Sequence, residues 1–167
     1  GDEGSRHRHR VLDTLQHVRH ETSCWLEITT LLIPGLNDSS AELEVMTRWI
    51  ADHLGPDVPL HFTAFHPDYK MTDVPATPPA TLQRSRAIAL ANGLRYVYTG
   101  NVHDTAGGTT ACPDCERPLI VRDWHSILCY ELDDGRRCPH CGSEIAGRFS
   151  RPAAALGRRR IPMRVVP

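Results

Sequence analysis

Lysine is nearly missing from this chain: among 19 lysine and arginine residues, only Lys70 is a lysine. That bias fits a genomic preference for arginine codons and assigns no function. Net charge is nearly missing too, at a formal -1, which removes any global pull toward nucleic acid or an anionic membrane. No uninterrupted apolar run approaches the ~18 residues that a membrane-spanning helix requires, and no signal-peptide pattern opens the chain. A soluble cytoplasmic protein is therefore expected, in a compartment that keeps cysteines reduced. An initiator methionine is also missing, as after processing before a glycine or in a piece of something longer.

What is present suffices for a core. The 167 residues are 40% hydrophobic and 23% charged, enough for one domain with a small appendage and too apolar for a disordered tail. The opening Gly1-Asp2-Glu3-Gly4 and Arg6-His7-Arg8-His9-Arg10 read as a solvated leader rather than a basic patch for nucleic acid.

The most legible chemistry lies in Cys112-Pro113-Asp114-Cys115 and Cys138-Pro139-His140-Cys141-Gly142. Two Cys-x-x-Cys pairs separated by a hairpin-length insert are the ligand pattern of a zinc ribbon, in which two tight turns each present two thiolates to one tetrahedral ion. The insert fits, since Leu119-Ile120-Val121 and Ile127-Leu128-Cys129-Tyr130 are short β-type runs and Asp133-Asp134-Gly135 is a turn signal. A structural zinc is the first expectation. An iron site or iron-sulfur cluster, a redox pair and disulfides are the alternatives, disulfides last because nothing else looks secreted. His140 reads as a knuckle residue rather than a fifth ligand, and His125 as a surface residue. Cys24 and Cys129, in strand-like runs, read as small buried apolar groups.

Upstream of the cysteines the apolar period changes several times. Val11, Leu15 and Val18 fall at helical spacing. Cys24 to Ile33 is rich in β-formers and becomes continuously apolar, as a buried parallel strand does. Within it Glu27 and Thr29 alternate with apolar neighbours, so they are placed to face a polar interior. Pro34-Gly35-Leu36-Asn37-Asp38 breaks the strand. Ser39 with Glu42 makes a capping box for a helix striped by Leu43, Met46, Trp49, Ile50 and Leu54, which stops at Gly55-Pro56. Leu60 to Phe65 reads as a second strand with Leu60, Phe62 and Ala64 on one face. Thr77-Pro78 begins another helix that ends at Asn92-Gly93, and Leu94 to Thr99 is a third strand. The α-β-α-β-α-β order predicts parallel strands covered by helices, part of a larger α/β barrel or open sheet.

In such folds ligands bind at the carboxyl ends of the strands. Those ends carry Ile33, Pro34, Gly35, Asn37 and Asp38; then His66, Tyr69 and Lys70; then Asn101, His103 and Asp104. Each has a plain alternative: Asn37 and Asp38 as turn formers, His66 as an ordinary loop histidine, and His103-Asp104 as a local cap rather than a base with its orienter.

In combination, these runs resemble a known family. Trp25 to Asp38, then Pro59-Leu60-His61-Phe62 with Phe65-His66-Pro67-Asp68-Tyr69-Lys70, Tyr96 to Asn101, the cysteine pairs and Arg158-Arg159-Arg160-Ile161-Pro162-Met163-Arg164-Val165 are similar to the C-terminal half of AmmeMemoRadiSam-system radical SAM enzymes. These are relatives of the pyruvate formate-lyase activating enzymes. The resemblance implies α/β architecture, namely the C-terminal part of a partial (β/α)6 barrel followed by a small zinc-ribbon-like β lobe. It also implies chemistry: S-adenosylmethionine cleaved at a 4Fe-4S cluster to a 5'-deoxyadenosyl radical. His66 matches a histidine that touches bound S-adenosylmethionine, Ile33 and Pro34 match the strand end lining its adenosine, and Memo-like and AMMECR-like proteins are the implied partners.

One departure matters most. The family's Cys-x-x-x-Cys-x-x-Cys loop occurs nowhere in the chain. The expectation is therefore a fragment that keeps part of the S-adenosylmethionine site and holds zinc on Cys112, Cys115, Cys138 and Cys141, but cannot cleave S-adenosylmethionine alone. Its expected organisation is a disordered leader (1–10), barrel part (11–104), four-cysteine lobe (105–149) and Arg-rich tail (150–167). The alternative is a zinc-ribbon binding module contacting a protein or nucleic acid; few cations neighbour Trp124 and Tyr130, so nucleic acid is not the expected partner.

Overall fold

The computed structural model describes residues 2–124, 126–132 and 136–149. His125, the Asp133-Asp134-Gly135 turn and the Arg-rich tail lie outside them.

Three helices and three strands alternate first: α1 (Asp2–Glu21), β1 (Ile28–Leu32), α2 (Ser40–Leu54), β2 (Leu60–Ala64), α3 (Pro79–Ala91) and β3 (Val97–Gly100). The strands form one parallel sheet in the order β1-β2-β3, with Leu32 opposite Ala64 and Leu60 opposite Val97. This is the mixed α/β arrangement that the alternating pattern predicts.

Local chemistry sets the helix ends. The Ser39 hydroxyl accepts from the Glu42 backbone N–H at 3.3 Å, satisfying a first-turn donor that the helix cannot. Proline at the first position of α3 suits a site whose N–H has no intrahelical partner, and Pro78 stands before it as the N-cap. Arg19 donates to the Leu54 carbonyl at 2.7 Å, bringing a cation to the C-terminal end of α2, where it is favoured.

The core lies on the helix side of the sheet. Leu32, Leu60, Phe62 and Val97 of the strands pack against Leu43, Ile50 and Leu54 of α2 and Leu82 and Ala89 of α3. Burying each larger side chain contributes about 1.5–3 kcal/mol. Thr47, also fully buried in α2, bonds back to the Leu43 carbonyl at 2.7 Å.

A second, smaller unit follows: the short α4 (Thr105–Gly108), then β4 (Thr110–Ala111), β5 (Pro118–Asp123) and β6 (Ser126–Tyr130) in an antiparallel sheet. It has its own core of Tyr96, Leu119, Ile120, Leu132 and Ile145 with Cys112 and Cys138.

Three expectations shift, one being the third strand, which begins at Val97 rather than Leu94. The first helix begins at Asp2 rather than Val11, so the segment read as a disordered leader continues the helix upstream; Arg8 and Arg10 are good helix formers. The first strand begins at Ile28 rather than Cys24, which leaves Cys24 exposed in the approach to the sheet instead of buried. Cys129 is half-buried, its thiol 3.6 Å from Glu131.

Candidate functional site

The four cysteines come together. The sulfurs of Cys112, Cys115, Cys138 and Cys141 all lie within 4.8 Å of one another. Cys112 stands 3.5 Å from Cys141, and Cys115 stands 3.6 Å from Cys138. A tetrahedron of ~2.3 Å metal–sulfur bonds has edges of ~3.8 Å, so one ion fits this donor set.

Two matching turns build the centre. Cys112 N–H donates to the Arg117 carbonyl at 2.8 Å and Glu116 N–H to the Cys112 carbonyl at 2.9 Å. In the second turn, Cys138 N–H donates to Ser143 at 2.9 Å and Gly142 N–H to Cys138 at 2.8 Å. The residue after each second cysteine is left-handed, Glu116 at φ 60 and Gly142 at φ 80. Glycine takes that conformation without penalty, while glutamate does not.

The thiols differ in acidity. Hydrogen bonds from the Ser143 hydroxyl and backbone N–H draw Cys141 down to about 6. Cys115 is pushed up to about 12: a backbone bond from Arg117 favours its thiolate, but desolvation and the three neighbouring sulfurs outweigh it. A bound cation would displace these protons. His140 is engaged elsewhere, with Nε2 3.1 Å from Glu131 and Nδ1 3.0 Å from Arg117, in keeping with a knuckle residue.

The strand ends are tied mostly to each other. Asn37 accepts from Ile33 N–H at 2.7 Å and donates to the Leu31 carbonyl at 2.9 Å, and Asp38 accepts from Gly35 N–H at 2.8 Å. Both therefore act as turn formers. Ile33 and Pro34 are half-buried there; His66 sits exposed on the neighbouring strand end, its Nδ1 2.9 Å from the Pro67 carbonyl. Lys70 lies 5.3 Å from the Tyr69 ring centre. Asn101 donates to the Ala64 carbonyl at 3.2 Å.

His103 and Asp104 do not act as a pair. Asp104 accepts from Thr99 and from Gly107 N–H, capping α4, while His103 faces Asp123 at 3.3 Å.

The sheet face opposite the helices carries a polar row. Glu27 accepts from Trp25 Nε1 at 2.8 Å and pairs with His61 Nε2 at 3.0 Å. The His61 ring stacks on Tyr98 with centres 5.0 Å apart. Tyr98 is held by Thr110 at 2.9 Å, and burial pushes its phenol pKa up, ahead of the opposing Thr110 bond and Arg122 charge. Glu27 was legible in the sequence as a polar residue in a strand. Strand alternation, with Leu60 and Phe62 on one face, already sends His61 to the other.

Among the described residues, no helix is long and apolar enough to cross a membrane. No protein-family model matches the chain, and no solved structure matches it. It is similar to an uncharacterized protein of Methanocaldococcus jannaschii, 42% identical over 136 residues, an alignment covering 81% of this chain and 40% of that relative. The chain thus spans well under half the length of the curated relative it matches.

Proposed function

We propose that this chain is the C-terminal part of a radical SAM enzyme of the AmmeMemoRadiSam type, carrying a structural zinc on its four cysteines. The observation that carries the reading is the two-sidedness of the sheet. Helices α2 and α3 cover an apolar face, whereas the opposite face presents Glu27, His61 and Tyr98. An isolated parallel sheet is covered on both sides, but a barrel sheet has helices outside and a filled or functional interior. The match covers only 40% of the archaeal relative, which agrees with a larger parent.

The four cysteines favour a single ion over a cluster, since a 4Fe-4S cube sets each thiolate on a different iron and spreads the sulfurs apart. Sulfurs within 4.8 Å suit one zinc. They are too closely gathered to replace the missing cysteine loop, so no radical step is assigned to this chain. Its part is to close one side of the barrel and present Ile33, Pro34 and His66 at adjacent strand ends toward S-adenosylmethionine.

The test uses the longer product of the same locus, purified without oxygen. It should contain a Cys-x-x-x-Cys-x-x-Cys loop and convert S-adenosylmethionine to 5'-deoxyadenosine, while the present chain takes up one zinc and no S-adenosylmethionine-reactive cluster. A parent lacking that loop, or a reactive cluster on this chain alone, sinks the reading.

A second reading, a zinc-ribbon module for a protein partner, draws on β6. Ile127, Leu128 and Tyr130 there are about half exposed or more. Memo-like or AMMECR-like proteins are the partners to test, by pull-down with Leu128→Lys as the control. Salt-dependent nucleic-acid binding would redirect this reading.

A further inference from the structure

A cavity of about 630 Å³ lies between the polar sheet face and the four-cysteine lobe. One wall is Trp25, Glu27, His61 and Tyr98; the other includes Arg122, Trp124 and Arg148. That volume is in the range of small-molecule sites.

The charges in the cavity are unevenly satisfied. Its two carboxylates are occupied, Glu27 by Trp25 and His61 and Asp104 by Thr99 and Gly107. Its two guanidiniums meet no carboxylate among the described residues. Arg122 donates to the Gly108 carbonyl at 3.3 Å and the Thr110 hydroxyl at 2.9 Å, and Arg148 donates to the Ser23 carbonyl. A guanidinium has five N–H donors, so both retain capacity for an anion. The four formal charges cancel, so the unused guanidinium donors suit a single added carboxylate and not a dianion.

Trp25, Tyr98 and Trp124 add aromatic surface to the wall, which also holds one vacant acceptor. With Nε2 turned to Glu27, His61 Nδ1 has no hydrogen-bond partner among the described residues. As the neutral tautomer that donates to Glu27, its other nitrogen accepts a proton donor.

We propose that this cavity binds a small aromatic carboxylate. The carboxylate sits on Arg122 and Arg148, the ring among Trp25, Tyr98 and Trp124, and a ring hydroxyl donates to His61 Nδ1. The cavity shares the Glu27–His61–Tyr98 face with the barrel reading, but both of its walls belong to this chain, so its ligand binding is tested without the parent's cluster chemistry and the two can fail separately.

The chain supplies its own reporters. Trp25 and Trp124 line the cavity, whereas Trp49 stacks on His53 at 4.9 Å in α2. Heteronuclear NMR of the full chain, titrated with para-hydroxybenzoate, should shift the first two indole N–H signals saturably and leave the third in place. Benzoate should bind more weakly. Arg148→Gln should weaken binding about tenfold, and Arg122→Lys, which keeps charge but loses the planar fork, should also weaken it. His61→Phe should erase the preference for the hydroxylated probe. Absence of saturable shifts at concentrations on the order of millimolar, equal shifts of all three tryptophans, or wild-type affinity in both arginine variants would overturn the proposal.

Discussion

The Thr77 hydroxyl donates to the Leu32 carbonyl at 2.6 Å, joining the loop before α3 to the end of β1. The same oxygen accepts from Phe65 N–H at 2.9 Å, so one buried side chain clamps two neighbouring strand ends next to Ile33 and His66. Thr77→Val keeps the shape and strands both backbone groups. Chemical denaturation should show a loss of about 1–3 kcal/mol. A change below measurement error would mean that water replaces the hydroxyl.

With zinc on the four cysteines as proposed, its removal should affect the lobe selectively. The four-cysteine core and the core under α2 and α3 are separate clusters, so a strong chelator should loosen β4 to β6 while α2 and α3 persist. Hydrogen exchange would resolve the two. Acidification should act in the same direction, because protons compete for the thiolates. Cys138→Ser, at a buried ligand, should abolish stoichiometric zinc binding; full retention would remove this centre as the metal site.

The two knuckle turns should respond unequally to mutation. Gly142 is left-handed with open space around a would-be Cβ, so Gly142→Ala costs backbone strain alone, about 1 kcal/mol. Glu116→Gly relieves similar strain but loosens the unfolded chain, and the net change should stay within about 0.5 kcal/mol. Thermal melts of the zinc-loaded protein compare them directly.

Gly107→Ala tests the link between sheet and lobe by a different mechanism. A Cβ there would overlap the Thr99 hydroxyl and crowd the carboxylate of Asp104, which caps α4 and accepts from Thr99. Overpacking of this kind costs about 1–3 kcal/mol. A neutral substitution would show that α4 shifts freely.

Alkaline pH should weaken the fold. Burial raises Tyr98 and Tyr96 above the ordinary value of 10.0, so the unfolded chain gives up its phenolic protons first. Their contribution is intact below pH about 10 and falls as pH climbs from there toward the folded values. Tyr98→Phe should flatten that decline. An unchanged slope would assign the alkaline loss to other groups.

The lobe and the helix caps were legible in the primary structure because their chemistry is local. Two Cys-x-x-Cys pairs define turns within a few residues, and Ser39 with Glu42 announces the start of α2. Strand limits were less legible: Cys24 belongs to a β-rich run, yet the ladder begins at Ile28, where β2 offers Leu60 as a partner. Strand pairing needs a neighbour that the local run cannot specify.

The order of residues alone settled the alternation of helix and strand and the grouping of four thiols, since periodicity and short-range spacing suffice for both. Only the tertiary structure decided that His61, between two buried residues of β2, meets Glu27 from β1 and Tyr98 from β3, that Thr77 closes two strand ends, and that Arg148 comes to Ser23. Those contacts join residues distant in the chain. They depend on parallel register and on packing of the lobe against the sheet, which local preference does not encode.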